Sequence, residues 1–175
     1  HLELTREIAR RFNGRMGRDL FPEPAAKLTA TPRLMGLDNR RMSKSFGNAI
    51  DLSEELASVE KKVKGMFTDP NRKKRTDPGD PAVCNVFAFH GMLNTKERHE
   101  KIATDCRSAA IGCVECKAEL AGKMLDWMRP LQERRQALLA EPGKLDRILA
   151  AGTERARQTA RQTMKEVREA VFGSR

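Results

Sequence analysis

Tyrosine is absent from this chain and tryptophan occurs once, so aromatics make up only 5% of its 175 residues. A core of stacked rings is excluded, and the core must be aliphatic; Leu, Val, Ile, Met and Ala at helical spacing suit that. No apolar run approaches the roughly 18–20 residues that a membrane-spanning helix requires, and no secretory leader pattern is visible. Cysteine is scarce, with four residues in all. Without an export signal they are not expected to pair as disulfides. A Walker loop, an HExxH motif and a serine-nucleophile signature are missing. Acidic residues are outnumbered, 24 Asp+Glu against 34 Lys+Arg, which leaves a net charge of +10. Such an excess favours polyanionic partners, nucleic acid above all, through phosphate contacts and counterion release. The chain opens at His1, with no Met, inside what reads as a helix. A fragment of a longer protein, located in the cytoplasm, is the expectation.

Leu4, Ile8 and Phe12 recur at every fourth position and mark an amphipathic opening helix that ends near Asn13-Gly14. Phe21-Pro22-Glu23-Pro24 breaks the chain, and residues 25 to 37 read as a short extended stretch. From Asp51 on, the pattern is helical throughout. Asp51-Leu52-Ser53-Glu54 has the form of a capping box, and Leu52, Leu56, Val59, Val63 and Phe67 make one apolar stripe. Residues 68 to 79 hold Pro, Gly and the basic cluster Arg72-Lys73-Lys74-Arg75, hence a loop. Asp80-Pro81 predicts a helix start running to about Met92. Further helices are predicted from Thr95 to about Ile111, from Val114 to Leu139 with a kink at Pro130, and from Thr153 to Phe172. The last carries Ala156, Ala160, Met164, Val167 and Val171 on one face and arginines on the others. The fold class expected is mainly α: the tail of an α/β domain over 1–50, then an all-helical domain over 51–175.

Two groups of residues carry chemistry. From Arg40 to Ser45, a Gly/Asp/Asn-rich stretch gathers three cations (Arg40, Arg41, Lys44) and two hydroxyls (Ser43, Ser45). Cations neutralise phosphate oxygens, while hydroxyls and nearby backbone N–H groups supply directional donors, so this composition suits a polyphosphate. The other group is Cys84, Cys106, Cys113 and Cys116, of which the last three read C-x6-C-x2-C. Four thiolates satisfy either a tetrahedral zinc site or a [4Fe–4S] cluster, and spacing alone leans toward zinc (Zn2+), whose structural sites favour C-x2-C. His90 reads as a helix-end histidine, His99 as solvated, and Trp127, on the stripe Leu120-Met124-Trp127-Leu131, as core.

The run Arg41-Met42-Ser43-Lys44-Ser45 resembles the Lys-Met-Ser-Lys-Ser signature of class I aminoacyl-tRNA synthetases, with Arg41 in place of the first lysine. The resemblance widens through Leu2-Glu3-Leu4-Thr5-Arg6, Arg33-Leu34-Met35-Gly36-Leu37-Asp38 and Phe46-Gly47-Asn48. It continues in Met66-Phe67-Thr68-Asp69-Pro70 and in the stretch from Asp77 to Phe87. Over nearly its whole length the chain is similar to the bacterial tryptophanyl-tRNA synthetases, a ligase family.

That resemblance implies ATP-dependent activation of tryptophan to tryptophanyl-adenylate and transfer to tRNA-Trp, with ATP held together with Mg2+. It implies that Lys44 contacts the β- and γ-phosphates and stabilises the departing pyrophosphate. Arg41, Ser43 and Ser45 would hold phosphate, Met42 would fold the loop over the nucleotide, and the main chain at Leu34 would lie against adenine. It implies a Rossmann-type catalytic domain, ending near residue 50 with the ATP signature loop, and a helical anticodon-binding domain over 51–175. It also implies a homodimer. A subset of the family holds a [4Fe–4S] cluster on a cysteine pattern of this form, which moves the preference for Cys84, Cys106, Cys113 and Cys116 from zinc to iron–sulfur. Arg107 and Lys117, beside those cysteines, become candidate tRNA contacts. The family's other signature, His-x-Gly-His, is absent: Phe89-His90-Gly91-Met92-Leu93 ends in Leu. The 175 residues alone are therefore expected not to catalyse pyrophosphate exchange at the rate of a whole enzyme. A non-catalytic tRNA-binding module is the alternative reading. A tyrosine-type synthetase would share the loop and leave the four cysteines unexplained.

Overall fold

The computed structural model describes residues 1–29, 31 and 34–173. Arg33 of the matching stretch lies outside them. Six α-helices follow one another: α1 (Leu2–Met16), α2 (Leu56–Lys64), α3 (Asn85–Leu93), α4 (Lys96–Arg107), α5 (Cys113–Leu139) and α6 (Lys144–Phe172). Among the described residues there is no strand, only a single antiparallel bridge between Met35 and Arg41. The described residues of the extended stretch expected over 25 to 37 form no sheet, because a ladder needs a neighbouring strand and the described residues offer none; 30, 32 and 33 lie outside the described residues. None of the described helices is long and apolar enough to cross a membrane.

The chain divides into two compact units: His1–Ala30 with Leu138–Arg175, and Thr31–Ala137. This grouping runs across the expected division at residue 50. In the first unit, α1 continues past Asn13-Gly14 to Met16 and stops at Gly17, which takes the left-handed conformation (φ 61°). Asn13 stays helical because its side chain has work outside the helix. Its Nδ2 donates to the Phe21 carbonyl at 2.8 Å, and its Oδ1 accepts from the Leu20 and Phe21 N–H groups. Phe12 meets Phe21 edge-on, with centroids 5.0 Å apart, and Arg10 forks onto Glu23 at 2.6 and 2.7 Å. Helix α6 begins nine residues earlier than expected, directly after Gly143 at φ 74°. Gly152 lies inside it without breaking it. No residue of α6 is buried, so its apolar face remains accessible.

The second unit holds the main core: Val59, Val63, Met66, Val86, Phe89, Leu120, Ala121, Met124 and Met128. Five of these, Val59, Val63, Val86, Leu120 and Met128, are wholly inaccessible, and each buried side chain of this size contributes roughly 1.5–3 kcal/mol. Leu34, Leu37, Met42 and Ile50 pack against the same cluster, so the basic loop rests on the helical core. The expected stripe on α2 is shorter than its sequence pattern. Leu52 and Phe67 lie largely exposed beyond the helix ends. Asp51–Glu54 closes a turn, in which the Asp51 N–H donates to Glu54 Oε1 at 3.1 Å, and α2 starts only at Leu56. Helix α5 runs unbroken through Pro130. Trp127 is not core: it is half exposed on the wall of an apolar recess of about 220 Å3, with Met42, Met92 and Met124.

Candidate functional site

The basic loop is tied by one amide. Asn48, 4% exposed, donates from Nδ2 to Asp38 Oδ1 at 2.8 Å and to the Arg41 carbonyl at 3.0 Å, while its Oδ1 accepts from the Ser43 N–H at 2.8 Å. The three contacts join the entrance, the middle and the exit of the loop. Gly36 makes room for the clasp, since a Cβ there would stand 2.2 Å from Asn48 Nδ2. The bond from Asn48 also leads the effects that lower the Asp38 carboxyl to about 2, with the Arg40 N–H and guanidinium adding to it. Asn39 completes the bend at φ 62°, a conformation that asparagine tolerates better than most residues.

Ser43 precedes a 3-10 turn formed by Lys44–Phe46, which ends at Gly47 in the left-handed region. Lys44 and Ser45 are exposed, Ser43 and Met42 half-buried, and Arg41 exposed. The Ser43 and Ser45 hydroxyls lie 2.8 Å apart, and the Arg40 guanidinium sits 5.3 Å from the Phe46 ring centroid. Among the described residues Lys44 and Arg41 have no ion-pair partner, so both cations stand toward solvent. Leu34 is half-buried against the core and lines the same recess as Trp127. Two longer-range bonds hold the loop to the helices. The Phe67 N–H donates to the Leu37 carbonyl at 2.8 Å, and Asn85 Nδ2 donates to the Gly36 carbonyl at 2.6 Å.

The four cysteines converge from three places: Cys84 immediately before α3, Cys106 in the last turn of α4, and Cys113 and Cys116 in the first turn of α5. All four are free and partly buried. Burial raises the Cys84 thiol, and the backbone amides of Phe87, Val86 and Asp69 oppose that rise. Burial also raises Cys106, opposed by the Arg72 guanidinium. Cys116 is pushed up to about 12, first by burial and then by the charges of Cys84, Cys106, Glu119 and Cys113. Gly79 closes one side: its N–H donates to the Cys106 carbonyl at 3.0 Å, and a Cβ on it would lie 2.7 Å from Cys106 Sγ. No set of three or more His, Cys, Asp or Glu side chains among the described residues stands ready to hold a metal ion.

Several polar residues around the thiols take roles that the sequence did not suggest. His90 is fully buried, with Nε2 3.1 Å from the Cys116 carbonyl and 3.4 Å from its Sγ; Asn94 meets Nδ1 at 2.7 Å. Burial lowers its pKa, consistent with a neutral ring. It is no ordinary helix-end histidine. His99, expected to be solvated, stacks on Phe87 with ring centroids 4.0 Å apart. Of the basic cluster, Arg72 is half-buried, and Arg75, though exposed, spends its donors on the chain. Arg75 reaches the Ala109 and Ala110 carbonyls and Glu115. Lys73 and Lys74 remain exposed beside a cavity of about 390 Å3 that reaches Cys113. Lys117 donates to the Lys64 carbonyl at 3.1 Å, capping α2, and Arg107 is exposed at the end of α4.

The family of tRNA synthetases class I (W and Y) matches residues 1–126. A tryptophan–tRNA ligase of Aquifex aeolicus is 45% identical over 172 residues, which is 98% of this chain and 43% of that protein. One from Thermotoga maritima is 42% identical over 172 residues, 98% of this chain and 52% of the relative. Among solved structures, the tryptophanyl-tRNA synthetase of Campylobacter jejuni, complexed with ADP and tryptophan, superposes with a TM-score of 0.75. Its identity is 26%, over 98% of this chain and 53% of that one. The chain spans about half the length of the relatives it matches. It belongs to the class I tRNA synthetases of the tryptophan and tyrosine family, on the bacterial tryptophanyl side.

Proposed function

We propose that this chain is the C-terminal portion of a tryptophan–tRNA ligase: its loop holds ATP phosphates during tryptophan activation, and its helices hold tRNA-Trp. The observation that carries this reading is the loop geometry, in which Asn48 clasps Arg41 and Ser43 from behind and leaves Lys44 projecting. In the activation step the tryptophan carboxylate attacks the α-phosphorus of ATP, forming the adenylate and releasing pyrophosphate. Negative charge grows on the β- and γ-phosphates as that bond breaks. Lys44 opposes it directly, with no proton transferred, which is electrostatic stabilisation of the transition state. Arg41 adds charge, the Ser43 and Ser45 hydroxyls donate to phosphate oxygens, and Mg2+ bound with ATP shares the load. The main chain at Leu34 lies against adenine, and Met42 anchors the loop to the core. In the second step a tRNA hydroxyl displaces AMP from the adenylate.

The functional division falls near residue 50: 1–50 close the Rossmann-type catalytic domain and 51–175 form the anticodon-binding part. Arg107 is an RNA contact, and Lys117, with two donors left after capping α2, is another. A homodimer is the assembly of the whole enzyme. Cys84, Cys106, Cys113 and Cys116 hold a [4Fe–4S] cluster. The donor chemistry supports this: four cysteines stand near enough for the charges of three to act on the fourth, and Gly79 leaves open beside Cys106 a space that any side chain would fill. When bound, the cluster supplies cross-linking of α3, α4 and α5 rather than redox chemistry, which ligation does not need. Zinc on the same thiols is the variant of this reading.

The test is tryptophan-dependent exchange of pyrophosphate into ATP. The chain joined to the N-terminal half of the Aquifex aeolicus relative is expected to exchange, and the 175 residues alone to run far below it. No exchange from the joined protein, with tRNA binding retained, favours the non-catalytic module.

A further inference from the structure

Arg72 lies in the most cationic loop of the chain, yet its guanidinium faces the cysteines. Nη1 donates toward Cys106 Sγ at 3.9 Å and Cys113 Sγ at 3.8 Å. Nη2 donates to the Arg75 carbonyl at 3.0 Å and the Ile111 carbonyl at 2.8 Å. One planar fork thus touches its own turn, the segment leading into α5, and two of the four cysteines. The approach is built. The Arg72 stem passes over Gly79, where a Cβ would stand 3.2 Å from Arg72 Cδ. Arg75 meanwhile takes the Ala109 and Ala110 carbonyls, so the two arginines claim three consecutive carbonyls of the α4–α5 connection. A lysine could supply the charge but not the fork, because its ammonium is a point charge on a flexible stem.

We propose that Arg72 is the charge-compensating and positioning residue of the four-cysteine site, an inference that rests on those cysteines being cluster ligands. Each thiol gives up its proton on ligation, so binding gathers four anions in a partly buried space. A permanent cation already between Cys106 and Cys113 offsets that charge and donates N–H···S bonds to the sulfurs. Net charge and hydrogen bonds to sulfur are the levers that set a cluster's potential. Outer partners of metal ligands are commonly worth 10- to 100-fold in metal affinity.

The experiment uses the full chain, reconstituted without oxygen with iron and sulfide, as wild type, Arg72→Lys and Arg72→Met. Iron and sulfide are counted, and iron loss to a chelator is followed by the visible absorbance. Arg72→Met is expected to lose iron about 10- to 100-fold faster, and Arg72→Lys to fall between it and wild type. A purely structural arginine would speed loss without changing the cluster itself. Here the cluster remaining in Arg72→Met has its reduction potential displaced to more negative values, since a cation no longer favours the added electron. If Arg72→Met does not fold by circular dichroism, Arg72→Lys decides, and it is expected to lose iron several-fold faster than wild type. Wild-type retention and an unchanged potential in a folded variant would overturn the role of Arg72 and leave the cluster standing. A wild-type chain that takes up no iron would overturn the cluster and the role of Arg72 with it.

Discussion

The basic loop and the four-cysteine site share one compact unit and similar materials, and they use their cations in opposite ways. In the loop, a buried amide and a half-buried carboxylate do the holding, and Lys44 and Arg41 are left facing solvent. At the cysteines, the arginines do the holding. Arg72 and Arg75 spend their donors on carbonyls 109, 110 and 111 and on two sulfurs, and the cations beside them whose side chains have no such bond among the described residues are Lys73 and Lys74. A run of positive charge in the sequence therefore says little until its donors are traced. Guanidinium forks suit fixed carbonyl geometry, whereas lysines make mobile point charges.

The largest effect separates the outward cations. Lys44→Ala in the joined protein should slow tryptophan-dependent pyrophosphate exchange by about 10²–10³, the range for losing one preorganised donor to a transition state. Its circular dichroism should be unchanged. Asn48→Ala attacks the holder instead of the cation. It removes three hydrogen bonds at a buried position and should cost about 1–3 kcal/mol, read as a lower urea midpoint at constant slope. Exchange should fall with it, because Ser43 and Arg41 lose their tether.

The tied and untied cations of the 72–75 turn should separate in the same way on a smaller scale. Arg75→Ala should lower stability by about 1 kcal/mol and leave the salt dependence of tRNA binding unaltered. Lys73→Ala or Lys74→Ala should do the reverse, changing the slope of log K against log salt by just under about 1 if each meets one phosphate. Equal behaviour of the two pairs would break the comparison.

The smallest effect lies at Asp38. Its carboxyl is held below its ordinary 3.8, at about 2, chiefly by Asn48. A depressed carboxyl adds stability that is present above the unfolded value and is lost as pH falls through the folded one. The melting temperature should therefore drop between pH 3.8 and 2 more steeply in wild type than in Asp38→Asn.

The helices at 96–107 and 113–139 were legible within a few residues, because apolar periodicity and caps such as Thr95 are local signals, whereas Asp80 caps only a 3-10 turn over Pro81–Val83 and the helix of 85–93 starts after it. So was the composition of both sites. What could not be read was who holds whom. Asn48 follows the loop by only a few residues, yet its function depends on a fold that returns it against Gly36. The signal available was the Gly47-Asn48 pair itself. His90 looked like a spoiled signature because its partner, Cys116, lies 26 residues away. Trp127 fits the periodicity of a core stripe, but it falls on a face of α5 that opens onto a recess, and periodicity does not report what stands opposite.

The measurement closest to the central claim is charging: radiolabelled tryptophan transferred to tRNA by the chain joined to the N-terminal half of the Aquifex aeolicus relative. The account predicts charging of tRNA-Trp, its collapse with Lys44→Ala, and weak charging of a tRNA-Trp whose anticodon has been replaced. Equal charging with either anticodon, or activity indifferent to Lys44→Ala, would contradict it.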